Sequence, residues 1–416
     1  MNSDLLSDWL EYINCNRPNE GDFGLERLYE LHSKIQKNHL AKKIILVGGT
    51  NGKGSTVEYL NNFFLASGYK VGAYTSPHLF KFNERIRINN ISISDKRIIE
   101  SFKLIEASKK DTRLTYFDYA TLAALNIFSN EELDVAIMEI GIGGKYDPVN
   151  LVDADISVIT NIELDHEKWL GSSIEEIGSQ KAAILKADKI AILGSETMPL
   201  SVTEFANSVC SSTYQLNKDF LVEKNELDWS YSFLEEDLEI RSFSHGSLSI
   251  DSAACALTAF RLLCKDEIDF KTLIKNTHLK GRCHPVDNFI LDVSHNPASV
   301  RNLAVYLKKN YKHHDFSAIF ATMTDKDSSS IINEISGLIS NWNICDIKDA
   351  RFDATSLLKL TEKVTNKKVT IKDSVYSAIK KGYLDGTPQI VFGSFITVSE
   401  AYSALEKIKL EKSEKY

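Results

Sequence analysis

The segment VGGTNGKGST, residues 47–56, combines a glycine-rich turn with a lysine and a serine. It follows the apolar run 44–47 and precedes a segment with helical character. Backbone N–H groups at a helix N-terminus form an anion site, so this turn is suited to phosphate. Lys53 would meet the terminal phosphates of a nucleotide, and Ser55 could ligate a Mg²⁺ ion that bridges them. The alternative is a tight strand-to-helix turn that holds no ligand.

Three further polar residues, Ser76, Glu139 and His166, stand at or after the ends of other apolar runs. Ligands bind at the carboxyl edge of an open parallel sheet, so these side chains are expected to converge near the phosphates. Taken alone, His166 would be read as a hydrogen-bonded structural histidine. The shared edge favours a metal site instead.

These residues can converge only if a sheet positions them, and the sequence has the hydrophobic pattern of a parallel sheet. Short runs rich in β-branched residues alternate with helical segments, which is typical of βαβ units. The runs that we predict as strands are 44–47, 71–74, 135–140, 156–159 and 190–193. Polar and apolar residues alternate within 217–252, which predicts a small antiparallel sheet.

The βαβ pattern starts again after a segment rich in turn formers. The later strands are predicted at 289–293, 318–321, 344–347, 369–371 and 390–392. We therefore predict an α/β chain with a P-loop-type, mostly parallel sheet domain and a small antiparallel side sheet, followed by a second, Rossmann-like α/β domain. The predicted boundaries are 1–282 for the ATP-binding domain, 283–288 for a linker and 289–416 for the C-terminal domain.

Composition excludes several classes of partner. The chain has 416 residues and a formal net charge of −8, so it lacks the basic surface expected of a nucleic-acid or anionic-lipid binder. It has no leader pattern and no run of about 18 apolar residues. Its six cysteines form no C-x-x-C pair, which argues against a zinc site or a disulfide framework. We expect a cytoplasmic protein that contacts neither nucleic acid nor membrane.

The loop spacing differs from the common P-loop, because Gly54 lies between Lys53 and Ser55. It closely resembles the nucleotide loop of the Mur ligase superfamily, in particular of its folate branch, the dihydrofolate synthase/folylpolyglutamate synthase family. The resemblance covers nearly the whole chain. Its main motifs are GTNGKGS at 49–55, YTSPHLFKFNERIRI at 74–88, LTYFDYATLAAL at 114–125, MEIGIGGKYDPVN at 138–150, LDHEKWLG at 164–171, LDVSHNP at 291–297 and FGSF at 392–395.

The resemblance implies an ATP-dependent ligase that adds L-glutamate to dihydropteroate and to the γ-carboxylate of reduced folates. A monomer is implied too. One alternative is an enzyme with folylpolyglutamate synthase activity alone. The other is a cell-wall Mur-type ligase, which is disfavoured because the chain has no room for a uridine-binding domain before the loop. From another class, a P-loop switch or kinase would be expected to show turnover without a pterin. The chain has no N-K-x-D motif, which disfavours a GTP switch.

The resemblance also assigns the nucleotide and metal residues. The nucleotide residues are Thr50, Asn51, Gly52, Lys53, Gly54, Ser55, Ser252, Arg282 and Asp292. Ser252 stands where the family has an asparagine. Two sites for Mg²⁺, or for Mn²⁺, are implied, one at Ser55 and the other at Ser76, Glu139 and His166. The implied catalytic residues are Lys53, His166 and Lys181, and the lysine at the position of Lys181 is often carbamylated in this family.

Substrate residues follow from the same resemblance. A pteridine pocket is implied at Glu20, Gly21, Asp22, Phe23, Thr115, Tyr116, Phe117 and Asp118. For 114–125 the alternative is a core helix with Thr115 as its N-cap. Tyr146 and Asp147 are expected to contact substrate, although their motif departs from the family pattern. His295 is expected to face the incoming glutamate, with a capping or packing role as the alternative.

Overall fold

A computed structural model describes residues 1, 3–16, 24–36, 38–311 and 315–413, except for the side chain of Lys368. The chain divides into two compact units, Met1–Thr277 and His278–Tyr416. The second unit thus begins earlier than predicted, and the segment predicted as a linker is part of it. The physical reason is that His284–Val286 form a strand, which pairs antiparallel with Phe289–Leu291.

Helices and strands alternate through most of the first unit. Its helices are α1 (Leu6–Cys15), α2 (Glu26–Ile35), α3 (Lys53–Ala66), α4 (Asp95–Ser108), α5 (Tyr116–Phe128), α6 (Glu167–Leu170), α7 (Ile174–Ala182), α8 (Leu200–Val209), α9 (Ile250–Leu263) and α10 (Phe270–Asn276). Its strands are β1 (Ala41–Gly48), β2 (Val71–Tyr74), β3 (Ile86–Ile88), β4 (Ile91–Ser92), β5 (Leu133–Glu139), β6 (Ile156–Ile159), β7 (Ile190–Leu193), β8 (Ser212–Gln215), β9 (Phe220–Lys224), β10 (Asp228–Phe233) and β11 (Leu238–Ser244).

The main sheet of this unit has eight strands in the order β4-β3-β2-β5-β1-β6-β7-β8. The six strands from β2 to β8 in that order run parallel, and β3 and β4 add an antiparallel edge. The central strands are apolar on both faces, since helices cover both sides of a doubly wound sheet. A separate antiparallel sheet, in the order β11-β10-β9, follows. Its period-two pattern is visible in β10, where Trp229, Tyr231 and Phe233 are buried.

The second unit repeats the α/β plan on a smaller scale. Its helices are α11 (Pro297–Asn310), α12 (Ser328–Ile335), α13 (Ala354–Thr365), α14 (Val375–Asp385) and α15 (Phe395–Ser413). Its strands are β12 (His284–Val286), β13 (Phe289–Leu291), β14 (Phe316–Phe320), β15 (Ile339–Cys345), β16 (Lys368–Lys372) and β17 (Gln389–Phe392). The sheet order is β12-β13-β17-β14-β15-β16, with β12 antiparallel and the rest parallel.

The predicted fold class is confirmed. Every run that we predicted as a strand overlaps an observed one, and 71–74, 156–159 and 190–193 match to the residue. Within the described part of the chain, no helix is both long enough and apolar enough to cross a bilayer.

Candidate active site

The glycine-rich turn joins the end of β1 to the start of α3, at the carboxyl edge of the main sheet. The Asn51 N–H donates to Asn161 Oδ1 at 2.9 Å, and Thr160 Oγ1 donates to the Asn51 carbonyl at 2.6 Å. The Thr50 N–H donates to the Asn161 carbonyl at 2.9 Å. Residues that directly follow β6 therefore fix the shape of the turn.

Two glycines of the turn are required by space as well as by backbone conformation. Gly49 has φ 133°, and a Cβ there would lie 1.9 Å from Thr160 Oγ1. Gly52 has φ 85°, and a Cβ there would lie 2.7 Å from Ser252 Oγ. Both values of φ lie in a region that residues with a Cβ rarely adopt. The Ser252 hydroxyl is buried and donates to the Gly52 carbonyl at 3.2 Å, so Ser252 braces the turn from α9.

Two lysines meet at the same carbonyl of this turn. Lys53 Nζ donates to the carbonyls of Gly49 and Thr50, both at 3.1 Å. Lys181 Nζ, from α7, donates to the Gly49 carbonyl at 2.9 Å. Lys181 is only 4% exposed, although its helix is amphipathic. Burial, reinforced by the nearby charge of Lys53, lowers the pKa of Lys181 to about 7.

A buried carboxylate stands beside the turn. Glu139, the last residue of β5, is 4% exposed, and its Oε2 accepts the Ser76 N–H at 3.0 Å. A Cβ at Gly54 would lie 3.9 Å from the same oxygen, so the start of α3 and Glu139 are neighbours. The structure thus brings Glu139 next to the Ser76 backbone and to the first turn of α3, which carries Ser55. The shared metal role of these residues stays a prediction.

His166 has a left-handed backbone, with φ 53°, and is the N-cap of α6. Its N–H donates to Asp165 Oδ1 at 2.9 Å, and its Nε2 lies 4.0 Å from the same oxygen. Among the described residues, no cluster of three or more His, Cys, Asp and Glu side chains could hold a metal. The oxygen donors of Ser55, Ser76 and Glu139 nevertheless fit a hard divalent cation, because such ions fill their shell with phosphate oxygens and water. The metal role of His166 stays a prediction.

The start of α5 carries the residues assigned to the pteridine pocket. Thr115 is the N-cap, as the alternative reading predicted, and it forms a capping box with Asp118. Asp118 is 1% exposed, and its Oδ2 accepts from Arg27 Nη2 at 2.8 Å. Asp118 Oδ1 and Arg27 Nε are buried without a hydrogen-bond partner among the described residues. An unused buried acceptor is costly unless a ligand donor reaches it.

Two aromatic residues, Tyr116 and Phe117, form the first turn of that helix. A Cβ at Gly141 would lie 2.6 Å from the Phe117 ring, so the ring packs directly on this glycine. The Arg85 guanidinium lies 5.5 Å from the centroid of the Tyr116 ring. The segment Glu20, Gly21, Asp22 and Phe23, predicted to complete this pocket, lies outside the described residues.

Asp147 is buried and shapes the loop after β5. Its Oδ2 accepts the N–H groups of Gly141 and Ile142 at 2.9 and 3.0 Å, and its Oδ1 accepts that of Val149 at 2.9 Å. Burial raises the pKa of Asp147 to about 7, against the effect of these three bonds. Tyr146 is half exposed beside it, with Lys145 Nζ 5.2 Å from its ring centroid. The substrate role of Asp147 stays a prediction, and its visible role is to hold this loop.

In the second unit, Asp292 follows β13 and is buried. Its Oδ2 accepts the Cys283 N–H at 2.7 Å, and its Oδ1 accepts the N–H and the hydroxyl of Ser294. It does not cap α11, since Asn296 does so. His295 Nδ1 lies 2.9 Å from the Val293 carbonyl. The Arg282 guanidinium and the His295 ring both lie near Phe395, at 5.6 and 6.2 Å from its centroid.

Sequence reasoning assigned no role to three residues that shape these sites: Thr160, Asn161 and Phe395. Thr160 and Asn161 directly follow the buried run 156–159, and a polar pair at a strand end was the available signal. Phe395 lies in the FGSF motif at 392–395, but the residues that it contacts, Arg282 and His295, are about 100 positions away in the sequence.

Known proteins that resemble this chain in sequence belong to a family of nucleotide-dependent ligases. Residues 47–256 match the model of the Mur ligase middle domain. The dihydrofolate synthase/folylpolyglutamate synthase of Buchnera aphidicola subsp. Schizaphis graminum is 34% identical over 97% of this chain and 97% of its own. The chain belongs to the dihydrofolate synthase/folylpolyglutamate synthase family. This confirms the predicted family, which is a branch of the Mur ligases, and the predicted class of ATP-dependent ligase.

Solved structures of this family superpose on nearly the whole chain. E. coli FolC in complex with DHPP and ADP has a TM-score of 0.92 at 30% identity, covering 98% of this chain and 100% of that one. The bifunctional enzyme of Yersinia pestis complexed with AMPPNP and a Mn ion has a TM-score of 0.89 at 30% identity, with the same coverage. The roles of individual residues in this chain stay predictions.

Proposed function

We propose that this chain joins L-glutamate to the carboxylate of dihydropteroate and to the γ-carboxylate of reduced folates, with conversion of ATP to ADP and phosphate. One observation carries the proposal. Lys53, the buried Lys181 and the buried Glu139 surround one phosphate-type turn, in a chain that matches bifunctional relatives over nearly its full length. The proposal includes a cytoplasmic monomer, which rests on the family resemblance.

A carboxylate does not react with an amine in water until it is activated. In the first step a carboxylate oxygen of the pterin substrate attacks the γ-phosphorus of ATP, the bond to the β-phosphate oxygen breaks, and ADP leaves. The product is an acyl phosphate. The turn and Lys53 hold the phosphates in place and offset the charge on the group in transfer, which is the dominant contribution in such steps.

In the second step the neutral amino group of glutamate attacks the acyl carbon. The tetrahedral intermediate collapses, the C–O bond to phosphate breaks, and the nitrogen loses a proton. The products are an amide and inorganic phosphate. This scheme requires no covalent bond to the protein.

Divalent cations, Mg²⁺ or Mn²⁺, would be held at two sites, one at Ser55 and the other at Ser76, Glu139 and His166. When bound, they supply positive charge to the phosphate oxygens. Lys181 contributes in another way. With a pKa near 7, a large fraction of its amine is neutral at physiological pH, and only a neutral amine adds to CO₂. We infer that addition and loss of one proton give a carbamate, which replaces a cation beside Lys53 with an anion.

The environment of Asp118 supports dihydropteroate as an acceptor. Its Oδ1 is buried and unpartnered among the described residues, and Asp118 shares the first turn of α5 with Tyr116 and Phe117. A pteridine is flat and carries N–H donors, so it suits aromatic walls with one carboxylate acceptor. This favours the bifunctional enzyme over a folylpolyglutamate synthase only.

ADP release tests the proposed function. The purified chain is assayed with ATP and Mg²⁺ plus dihydropteroate, tetrahydrofolate or no pterin, each with and without L-glutamate. We expect turnover only where a pterin and glutamate are both present, with both acceptors active. Turnover without a pterin would overturn the ligase in favour of an ATPase or switch. Turnover with tetrahydrofolate alone would reduce the proposal to a folylpolyglutamate synthase.

A further inference from the structure

The turn that carries Arg282 has an unusual backbone. Gly281 and Cys283, on either side of Arg282, both have positive φ, at 73° and 43°. For a residue with a Cβ, such as Cys283, this conformation costs on the order of 1 kcal/mol and persists only where its surroundings enforce it. The Gly281 carbonyl accepts the Val293 N–H at 2.8 Å, which ties the turn to the end of β13.

A tyrosine on α15 supplies a second restraint. Tyr402 is 8% exposed, and its hydroxyl accepts the Gly281 N–H at 3.0 Å and lies 2.7 Å from His284 Nδ1. Because Gly281 donates into the hydroxyl oxygen, the single O–H is available to donate to Nδ1. Burial lowers the pKa of His284, which favours the neutral imidazole that this bond requires.

The same turn reaches Asp292. The Cys283 N–H donates to Asp292 Oδ2 at 2.7 Å, so the backbone next to Arg282 also orients this buried carboxylate. The Arg282 guanidinium lies 5.6 Å from the ring centroid of Phe395, the first residue of α15. Helix α15 therefore contacts the turn through Tyr402 and the Arg282 side chain through Phe395.

We propose that Tyr402 is a positioning residue, whose hydroxyl fixes the turn 281–284 and thereby presents Arg282 and Asp292 to the nucleotide. This rests on the proposed function, because the nucleotide contacts of Arg282 and Asp292 belong to it. The Tyr402 hydroxyl contacts Gly281 and His284, the first and last residues of the turn, so its loss releases the turn at both ends. A hydroxyl that served only the stability of the fold would not change nucleotide affinity selectively.

Tyr402→Phe removes the hydroxyl and keeps the ring. We expect the KM for ATP to rise roughly five- to tenfold, the size of one net hydrogen bond, while kcat changes by less than about twofold. Tyr376→Phe is the matched control, since the Tyr376 hydroxyl donates to Glu411 at 2.9 Å in the same unit, on the neighbouring helix α14. It should leave both constants as in the natural chain.

Steady-state kinetics of the full chain with ATP, tetrahydrofolate and glutamate give these constants, and titration of a non-hydrolysable ATP analogue gives its Kd. If Tyr402→Phe does not fold, His284→Leu tests the second bond alone and should raise the same KM about two- to threefold. An unchanged KM and Kd for the nucleotide in the tested variant, or an equal rise in Tyr376→Phe, refutes the positioning role. Failure of the natural chain to bind the analogue would instead refute the proposed function.

Discussion

Lys181 shows how much chemistry one residue gains from its surroundings. Its sequence context is an amphipathic helix, where a lysine is normally solvated. Its buried position and its contact with the Gly49 carbonyl depend on a segment 132 positions away in the chain. A contact between residues so far apart in the sequence cannot be predicted from local periodicity. Lys181 was therefore identified as a candidate only through the family resemblance.

Carbamylation of Lys181 should depend on pH through its lowered pKa. With ¹³C-labelled bicarbonate, a carbamate NMR signal should be strong at pH 8 and weak at pH 6, because protonation through a pKa of about 7 removes the reactive neutral amine. Lys181→Met should abolish the signal. Lys186→Met removes another lysine whose pKa burial lowers, and it should retain the signal. A signal that persists in Lys181→Met would show that another amine carries the group.

At the scale of elements, the turn between β1 and α3 is specified by its glycines more than by its polar residues. The sequence predicted a turn followed by a helix, because glycine spacing is a local signal. The helix begins earlier than predicted, at Lys53, inside the segment 47–56. It did not predict that Thr160, Asn161 and Ser252 would brace the turn from two other elements. Those contacts require the strand order β1-β6 and the packing of α9, which are properties of the tertiary fold.

Gly52→Ala tests this specification. Gly52 and Gly68 have similar φ values, 85° and 80°, but a Cβ at Gly68 has nothing within 4 Å, whereas one at Gly52 meets Ser252 Oγ. Both alanine variants should lose about 1 kcal/mol of unfolding free energy, measured in urea, from backbone strain alone. Only Gly52→Ala should also weaken ATP binding, by about tenfold or more. Equal ATP affinity in the two variants would show that the contact with Ser252 does not shape the turn.

At the scale of the whole molecule, the sequence predicted both α/β units and the side sheet, because these depend on repeated patterns over many residues. It misplaced the division between the units, since a three-residue strand such as β12 has too little pattern to separate from a linker. Within the sites it located the strand ends but not the long-range contacts, such as Arg27 with Asp118.

Because the proposed mechanism uses the phosphate-binding turn 47–56 for both acceptors, we predict that both activities fail together. Lys53→Ala should lower kcat/KM by about 10²- to 10³-fold, and by the same factor for dihydropteroate and tetrahydrofolate, because both acceptors need the same phosphoryl transfer. Lys43→Ala removes an exposed lysine near the start of β1 and should change neither activity. ADP release with each acceptor measures both. Selective loss of one activity would point to a second nucleotide site.

The bonds from Lys53 to the carbonyls of Gly49 and Thr50 have a consequence for nucleotide entry. An incoming triphosphate competes with two carbonyl oxygens for this ammonium, so part of what it gains replaces bonds that already exist. The enthalpy gained is then reduced by the bonds to the two neutral carbonyls that the charged phosphate oxygens replace. Discrimination between ATP and ADP therefore depends on the extra charge of the third phosphate, and it should fade as ionic strength rises.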